Sequence, residues 1–482
     1  MCLEQGKANS DRQGRIPAPR PGEEIEGRIE DLAYGGWAVL RHAGWVVLIR
    51  GAFPGELVRV GLRRKRKGRF EGVLLEVLEP SPDRIPPACP HLPVCGGCAL
   101  QGLAHQAQAR WKGNQAVELL RRIGAVTPRA VLPVWQSPFP WFYRNKMEFT
   151  FSRRPWVTRE VLDSGAPLPT GPALGLHPRG RFDAVFDVTD CRLQSPLSNR
   201  IVAAMRTIAK RRNLSVYDSR EDAGLLRHLV IRQAATSGDL LVILVVRSEH
   251  PDLAEIAAEL QQAVPEITTV VASINLRRAT VAQGDYEIPL IGPPFWRETL
   301  AGLQFQIGAS SFFQTQALGA EALIEQVLDW SGAAPGQRIL DLYCGAGTFS
   351  LPLAQRCTEL WGVEAVAGAV REAQENARRN GIDNVRFLCA PVEERGPQPW
   401  ERAGWDLLLI DPPRSGLHPR ARRRIIALAV PRLLYVSCNP ATLARDAGEL
   451  IAEGGYRAER LRVFDLFPQT PHLESVLLLE RE

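Results

Sequence analysis

The chain has 482 residues, of which 45% are hydrophobic and 23% are charged, with a formal net charge of +6 at pH 7. This composition is that of a globular protein, and the length predicts roughly three domains. Because no apolar run reaches the ~20 residues of a membrane span and residues 1–20 lack a signal-peptide core, we expect a cytoplasmic protein without membrane attachment. Its basic character mildly favours a polyanionic partner.

Residues 21–80 contain five short β-prone runs separated by turns rich in glycine and proline. Such a series predicts a small Greek-key barrel of the kind that binds oligonucleotides. The loop at residues 63–69 carries six cations in seven positions. This loop suits contact with RNA phosphates, although a solvated hairpin tip has the same composition. The five predicted strands are residues 25–29, 37–40, 46–49, 57–60 and 73–77.

Three cysteines, Cys89, Cys95 and Cys98, lie within ten residues among prolines and glycines. Thiols at this spacing can surround one soft centre, and Cys191 is the best candidate for a fourth ligand. The spacing favours a [4Fe–4S] cluster, because the paired Cys-x-x-Cys motifs of zinc sites are absent. Zinc, with His91 as a possible ligand, remains the alternative.

The middle of the chain mixes helical and strand patterns, which predicts an α+β block. A first amphipathic helix is expected at residues 106–123, with Trp111, Val117, Leu119 and Leu120 on its apolar face. His228 is expected to be structural. Further helices are expected at residues 199–211 and 253–263, and strands at 147–151, 229–232, 240–246 and 268–275.

The C-terminal part alternates strands with helices, which predicts a doubly wound parallel sheet. Its strand at residues 338–342 leads into Gly345 and Gly347, and glycines at such a turn let the backbone approach a ligand. About twenty residues on, the next strand ends in Glu364, whose carboxylate can accept both ribose hydroxyls of a nucleoside cofactor. Ser350 occupies the third glycine position of the dinucleotide fingerprint, which favours S-adenosylmethionine over a dinucleotide.

Two more strand ends carry polar motifs. A strand at residues 405–410 ends in Asp411-Pro412-Pro413-Arg414. Enzymes that methylate amino groups normally place an aromatic residue after the two prolines, so Arg414 argues against N-methylation. Cys438 follows the strand at residues 433–436, at the sheet edge where α/β proteins present reactive groups. Taken alone, a thiol there is more often inert packing.

Methylation at C5 of uracil would give Cys438 a role, since C5 is too weak a nucleophile to take a methyl group directly. A thiolate that adds to C6 activates C5, and a base must afterwards remove the C5 proton. Glu474 heads an apolar strand at residues 476–479, and desolvation there would raise its pKa into a useful range. An exposed charge at a strand end is the alternative for Glu474.

Five motifs, in this order along the chain, together resemble the RNA uracil-5-methyltransferase family. They are Ser311-Phe312-Phe313-Gln314, the turn at residues 341–347, the segment at residues 411–416, Ser437-Cys438-Asn439-Pro440 and His472-Leu473-Glu474. The resemblance implies that Cys438 is the nucleophile and Glu474 the base. It also implies a cofactor site lined by Gln314, Tyr343, Thr348, Glu364 and Asp411.

Residues 21–80 resemble a TRAM domain, through the segments at residues 35–39 and 54–56. The cysteine set resembles that of the ribosomal-RNA branch of the family, whose members carry a [4Fe–4S] cluster, whereas the bacterial tRNA branch typically lacks both features. We therefore expect a monomer that makes 5-methyluridine in 23S rRNA with S-adenosyl-L-methionine. The alternatives are the same reaction on tRNA and a non-catalytic RNA-binding or ribosome-assembly factor.

The expected domains are a flexible tail (1–20), a TRAM-like barrel (21–80), a central α+β domain with the cysteines (81–300) and a class I, Rossmann-like S-adenosylmethionine methyltransferase domain (301–482). Gln316 departs from the family pattern, which usually has Asn there. Ala390-Pro391 stands where a polar contact to adenine is common. The long, proline-rich segment at residues 153–178 predicts a surface insertion.

Overall fold

The computed structural model describes residues 19–66, 68–279, 281–402 and 404–481. Residues 1–18 of the expected tail and Lys67 of the basic loop lie outside these ranges. The chain divides into two compact units, of which the first ends at Pro86 and also includes Gly102–Ala104, and the second contains Pro87–Gln101 and His105–Glu482. No helix in the described ranges is long and apolar enough to cross a membrane.

The first unit contains a closed five-stranded barrel with the strand order β1-β2-β3-β5-β4. Buried and more exposed residues alternate along its strands, as in β2, where Ala38 and Leu40 are fully buried. Closure pairs every strand on both sides and so leaves no open edge. The expected OB-like barrel is confirmed. Its strands are β1 (Glu24–Ala33), β2 (Trp37–His42), β3 (Trp45–Arg50), β4 (Leu57–Arg66) and β5 (Arg69–Glu79).

Glu56, within one of the segments that resemble a TRAM domain, is completely buried. Its carboxylate accepts hydrogen bonds from the backbone N–H of Phe53 at 2.8 Å and from the Arg84 guanidinium. A buried carboxylate with these donors stabilises the loop between β3 and β4. In the segment at residues 54–56, Glu56 therefore has a structural role in the barrel.

The second unit begins with a helix and a largely antiparallel sheet of seven strands in the order β10-β9-β8-β11-β12-β13-β14. Only β12 and β13 pair in parallel. Two helices, α3 and α4, share a core with the sheet through Met205 and Leu260. The elements are α1 (His105–Gly124), β6 (Ala130–Val131), β7 (Trp135–Gln136), β8 (Lys146–Ser152), α2 (Arg159–Asp163), β9 (Ala173–Leu176), β10 (Phe186–Asp187), α3 (Pro196–Arg211), β11 (Leu226–Gln233), β12 (Leu240–Val246), α4 (Leu253–Ala263), β13 (Thr269–Ile274) and β14 (Tyr286–Ile291).

A hairpin and a nine-stranded sheet follow, and the order along the sheet is β19-β18-β17-β20-β21-β23-β22-β6, with β7 also paired to β22. The elements are β15 (Phe295–Leu300), β16 (Leu303–Gly308), α5 (Ala317–Ser331), β17 (Arg338–Leu342), α6 (Ser350–Ala354), β18 (Glu359–Glu364), α7 (Ala367–Arg379), β19 (Val385–Cys389), β20 (Leu407–Ile410), α8 (Pro419–Leu428), β21 (Arg432–Ser437), α9 (Pro440–Gly454), β22 (Tyr456–Asp465) and β23 (Glu474–Arg481).

This second sheet confirms the expected α/β methyltransferase fold and corrects one detail. The five strands from β19 to β21 are parallel, but β23 runs antiparallel to both β21 and β22. The loop between β22 and β23 is short, and a short connection can only join antiparallel neighbours. As a result, β23 begins at the edge where the parallel strands end.

Two further expectations need correction. The helix predicted at residues 106–123 is confirmed as α1, with Leu120 buried and Val117 packed against the core, but Trp111 and Leu119 are only half-buried and the polar Gln108 and Lys112 are buried as well. The segment at residues 153–178 is only partly a surface insertion. None of the residues in α2 is buried, whereas most of β9 is buried as part of the central sheet.

Candidate active site at the carboxyl edge of the nine-stranded sheet

The candidate site lies where β17, β18, β20 and β21 end. The strand order reverses between β17 and β20, and open α/β sheets bind ligands at such a switch point. Cys438 directly follows β21, and Glu474 is the first residue of β23. Ser437 and Ser475 are partners in the β21–β23 register, so the two predicted catalytic residues lie beside each other although they are distant in sequence.

Cys438 is partly buried between groups of opposite charge. Burial raises its pKa to about 11, the carboxyls of Glu474 and Asp411 add to the rise, and Arg414 opposes it through its charge and a hydrogen bond. The Arg414 carbonyl in turn accepts a hydrogen bond from Asn439 Nδ2 at 2.9 Å. The structure therefore holds a protonated thiol next to two carboxyls and a guanidinium, and the thiol must lose its proton before it can attack.

Glu474 is only 6% exposed. Burial raises its pKa well above the ordinary value, and the negative charge of Asp411 adds to the rise, while Arg414 opposes it. Burial also raises the pKa of Asp411, to about 7. A desolvated carboxylate binds a proton more strongly than an exposed one, as a general base requires. The alternative of an exposed strand-end charge is wrong.

Asp341 is a third acid at this edge, and the sequence analysis assigned it no role. Ser350 Oγ donates a 2.5 Å hydrogen bond to its Oδ2, whereas its buried Oδ1 has no partner. Burial raises the pKa of Asp341 to about 8 against the effect of the Ser350 bond, and the charges of Asp411 and Glu364 contribute. The sequence signal that could have identified Asp341 is its position in the turn motif at residues 341–347. Burial favours the protonated, neutral form of these three acids, and a cationic ligand in the crevice would favour their ionised form.

The turn after β17 is held in an unusual conformation. Tyr343 has a φ of 68°, in the left-handed region that side chains such as tyrosine rarely adopt, and its N–H donates to the Val363 carbonyl at 2.8 Å. Glu364 accepts hydrogen bonds from the N–H groups of Gly345 at 3.1 Å and Val366 at 2.8 Å. Strain of this kind concentrates at functional sites, which supports a ligand-binding turn.

Gln314 lies on a separate segment, residues 311–316, between β16 and α5. Asn145, which directly precedes β8, holds this segment, because its Nδ2 donates to the Gln314 carbonyl at 2.8 Å and its N–H to the Thr315 carbonyl at 2.9 Å. The buried Arg232 guanidinium donates to the Ser311 carbonyl. The backbone of Gln314 is therefore bound to the residue that precedes β8, whereas the half-buried Thr348 lies on the turn that precedes α6.

Gln316, which departs from the family pattern, is buried and donates from Nε2 to Ser137 Oγ at 2.6 Å. Its buried Oε1 has no partner. The longer glutamine side chain thus links the segment at residues 311–316 to the loop that follows β7. This contact gives the departure a structural explanation.

The four predicted ligand cysteines lie together in the second unit. Burial raises the pKa of Cys98 to about 12, and Cys95, Cys191 and Cys89 raise it further. Burial also raises the pKa values of Cys95 and Cys191, and thiols of the same set contribute. The backbone N–H of Gly97 donates to the Cys95 sulfur at 3.4 Å. Four sulfur donors suit a soft metal centre, so their chemistry fits the predicted cluster.

The arrangement of these side chains does not itself form a metal site. In the described ranges, no group of three or more His, Cys, Asp or Glu side chains is placed to hold a metal ion. His91 Nε2 accepts hydrogen bonds from the N–H groups of Thr189 at 3.1 Å and Asp190 at 3.3 Å. Because that lone pair is used, His91 cannot ligate zinc through Nε2 in this arrangement. It holds the loop that carries Cys191.

Comparison with known proteins agrees with this geometry. The family described as tRNA (Uracil-5-)-methyltransferase matches residues 298–398 and 400–482. An uncharacterized RNA methyltransferase of Halalkalibacterium halodurans is 33% identical over 459 residues, which cover 95% of this chain and 96% of the relative. Another, of Chlorobaculum tepidum, is 36% identical over 447 residues, which cover 91% and 92%.

Among solved structures, the tRNA (uracil-54, C5)-methyltransferase of Pyrococcus abyssi in complex with S-adenosyl-L-homocysteine is similar over nearly the whole chain. The TM-score is 0.71 at 26% identity, and the match covers 94% of this chain and 99% of that one. The similarity therefore extends well beyond the C-terminal residues that the family description matches. This chain is an RNA methyltransferase and belongs to the RNA uracil-5-methyltransferase family.

Proposed function

We propose that the protein methylates C5 of a uridine through a covalent bond between Cys438 and C6. The observation that carries this proposal is that Cys438 and Glu474 lie side by side at one sheet edge. The charges of Asp411 and Arg414 shift the pKa of both groups. The family membership supports the choice of uracil. The target must leave its stacked position to reach the thiol, as is general for enzymes that act on bases.

The reaction needs two proton removals, one from the thiol and one from C5. Cys438 releases its thiol proton to solvent, and the thiolate adds to C6, so that the electrons of the C5–C6 double bond make C5 nucleophilic. S-adenosylmethionine, when bound, supplies the methyl group for C5 as an electrophilic sulfonium. Glu474 then removes the C5 proton, the electrons of that C–H bond restore the C5–C6 double bond, and the C6–S bond breaks to release the Cys438 thiolate.

We propose that S-adenosylmethionine binds along the turn after β17, and a relative solved with S-adenosyl-L-homocysteine supports this. A Cβ added at Gly345 would meet no atom within 4 Å, so the backbone of the turn faces open space that a ligand can occupy. A cationic group of the cofactor would favour the ionised form of the acids in the crevice. The proposed contacts are Gln314, Tyr343, Thr348, Glu364 and Asp411.

For the substrate we propose 23S rRNA, supported by the resemblance of the cysteine set and the barrel to the ribosomal-RNA branch. In the barrel, the Arg50 guanidinium lies 3.9 Å from the Trp37 ring centre, and Lys65 Nζ lies 3.9 Å from that of Trp45. Cations beside aromatic rings suit phosphates and stacked bases. tRNA is the second candidate, because the Pyrococcus abyssi enzyme is named for uracil-54 of tRNA and covers nearly the whole chain.

We further propose that Cys89, Cys95, Cys98 and Cys191 hold a [4Fe–4S] cluster with a structural role, since transfer of a methyl group from a sulfonium needs no redox step. Leu100, close to Cys98 in sequence, donates from its N–H to the Gln469 carbonyl at 2.9 Å, in the loop before Glu474. The cluster would thus stabilise a segment that contacts the active site. Iron and sulfide analysis of anaerobically purified protein tests the assignment.

We propose that the chain consists of a tail (1–20), an RNA-binding barrel (21–80), a central domain (81–300) and a catalytic domain (301–482). The barrel strands β1–β5 support the second of these limits. We also propose that the protein acts as a cytoplasmic monomer. Of the described cysteines, none is in a disulfide, as is usual in a reducing compartment.

The test is incubation of the protein with S-adenosylmethionine and transcripts of 23S rRNA or tRNA, followed by nucleoside analysis. We expect 5-methyluridine in the 23S rRNA. Its appearance in tRNA alone would show that tRNA is the substrate. A product methylated at another atom, or no methylation of either RNA, would contradict the proposed reaction, and the second outcome would favour a non-catalytic RNA-binding factor.

A further inference from the structure

Glu474 is preceded by a loop, residues 466–473, that connects β22 to β23 and is called the base loop below. Within it, Gln469 has a φ of 70°, a left-handed conformation that is unfavourable for a glutamine. Such a conformation persists only when surrounding contacts impose it. The residues that make those contacts therefore determine where the loop delivers Glu474.

Gln108, on α1, makes a pair of hydrogen bonds to Gln469. Its Oε1 accepts from the Gln469 N–H at 2.7 Å, and its Nε2 donates to Gln469 Oε1 at 3.0 Å. Both side chains are buried, with exposed fractions of 0% and 3%. The Gln469 carbonyl accepts from the Leu100 N–H. The backbone at the strained position is thus bound on both its N–H and its carbonyl.

Lys112 lies one helical turn further along α1 and is also buried. Its Nζ donates to Asp465 Oδ1 at 2.5 Å and to the Phe467 carbonyl at 3.0 Å. Burial opposes ionisation of Asp465, but the charges of Lys112 and His105 and the hydrogen bond from Lys112 hold its pKa below the ordinary value. The base loop therefore starts from a buried ion pair between α1 and the end of β22.

Positions 108 and 112 belong to the same face of α1, and this face is buried although it is polar. A buried lysine and glutamine cost more desolvation free energy than apolar side chains of the same size. The described contacts of both side chains converge on residues 465–469 and on Leu100. Apolar side chains at positions 108 and 112 would be enough for packing alone, whereas holding a strained loop requires hydrogen-bond donors.

We propose that Gln108 and Lys112 are positioning residues for Glu474. They fix the base loop in the conformation that brings the Glu474 carboxylate to the C5 proton. Cys438 depends instead on β21 and on the start of α9, where Asn439 Oδ1 accepts from the Ala441 N–H. Loss of the α1 contacts will therefore slow removal of the proton far more than attack by Cys438. This inference rests on the proposed function.

The test compares Gln108→Met and Lys112→Met with Arg121→Met, a control on an exposed part of α1. Lys112→Met leaves the buried Asp465 without its cation and could unfold the protein. The double variant Lys112→Met/Asp465→Leu removes that buried charge as well. It still lacks the hydrogen bond from Lys112 to the Phe467 carbonyl. The full-length, anaerobically purified protein is mixed with S-adenosylmethionine and RNA containing ordinary uridine. Covalent adduct on a denaturing gel and released 5-methyluridine are followed in a single turnover.

We expect the α1 variants to release product about 10- to 100-fold more slowly, the scale expected for a small displacement of a catalytic group. The adduct should accumulate on ordinary uridine. Adduct formation with 5-fluorouridine RNA, which reports attack without proton removal, should stay close to the wild-type rate. The Arg121→Met protein should match wild type in every measurement.

Wild-type release by folded Gln108→Met would overturn the inference. An equal loss of adduct formation and release in both Gln108→Met and the double variant would also overturn it, because a purely structural defect slows both steps. A wild-type protein that neither methylates RNA nor forms the 5-fluorouridine adduct contradicts the proposed function itself, and the inference falls with it.

Discussion

The molecule buries thiols in two settings that differ in their charged neighbours. At the four proposed ligand cysteines, three other thiols raise the pKa of Cys98 beyond the effect of burial, and the Arg144 guanidinium opposes them. At the sheet edge, the groups that raise the pKa of Cys438 are two carboxyls, and a guanidinium opposes them. A guanidinium opposes the rise at both sites, so the two settings differ in their acidic neighbours, which are thiols at Cys98 and carboxyls at Cys438.

This contrast separates thiols suited to binding a metal centre from a thiol suited to nucleophilic attack. Four sulfurs can share a soft centre once they lose their protons. Cys438 has only one thiol at its site but has Glu474 and Asp411 to exchange protons with, and Arg414 to stabilise a thiolate. The two settings should therefore respond differently to the same substitution.

The largest effect is expected for Cys438→Ala. Without the sulfur, C5 is not activated, and methyl transfer to RNA should fall by at least about 10³-fold, the scale of losing a covalent nucleophile. Transfer of radiolabelled methyl groups measures the effect. Cys357→Ala is the matched control, because Cys357 is a buried thiol that follows α6, away from the reacting pair. Methylation by Cys438→Ala near the control rate would contradict the assignment.

Glu474→Gln should block the second half of the reaction. We expect overall methylation to fall by about 10²- to 10⁴-fold, as for a general base, while a covalent adduct with ordinary uridine accumulates. A denaturing gel separates adduct from free protein. If Glu474→Gln turns over normally, or forms no adduct while methylation is lost, Glu474 is not the base.

We expect pH to change the activity less than these two substitutions do, but the direction of the change tests the protonation states of Cys438 and Glu474. The Cys438 pKa is raised to about 11, and that of Glu474 is also raised; both groups act in their deprotonated forms. The value of kcat/KM, which reports the free enzyme, should therefore increase with pH, by about tenfold per unit where the thiolate fraction limits it.

Arg414→Met provides the comparison for that profile. The guanidinium opposes the rise in the pKa of Cys438, so its removal should move the rising limb to higher pH. A kcat/KM that stays constant from about pH 6 to about pH 9 would show that the resting thiol is not the protonated species described above.

The smallest effect on chemistry is expected in the ligand set. Cys98→Ser should lose bound iron and lower the melting temperature by roughly 5 °C or more, because a group bound only to the folded state stabilises it. Methylation should fall much less than in Cys438→Ala, since no step needs electron transfer. Cys357→Ser should leave both iron content and methylation unchanged. A loss of activity as large as that of Cys438→Ala would place the ligand set in the chemistry.

Much of the fold was predictable from local patterns. The strands at residues 240–246 and 338–342 and the helix at residues 253–263 match β12, β17 and α4, because continuous apolar runs and regular helical spacing leave little choice. The position of the site at the sheet edge followed from strand ends that carry polar motifs. The pairing of β6 and β7 with the distant β22 was not predictable, because two-residue strands carry no periodicity.

The contacts that prepare the site were harder to predict. Gln108 and Lys112 look like surface residues in the sequence, and only the tertiary partners in the base loop make their burial favourable. Asp341 stood in a recognised motif, but its pKa is raised chiefly by burial in the assembled sheet and further by the charges of Asp411 and Glu364, which come from other strands. Such properties belong to the assembled sheet edge and leave no local signal.

The central claim is that Cys438 forms the bond to C6 of the target uridine. The most direct test uses RNA containing 5-fluorouridine with S-adenosylmethionine, because fluorine cannot leave as a proton does and the adduct persists. Proteolysis and mass spectrometry of the adduct then identify the attached residue. We predict a single modified peptide whose nucleotide is bonded to Cys438. A stable adduct at any other residue, or methylation that proceeds with no adduct at all, would contradict the account.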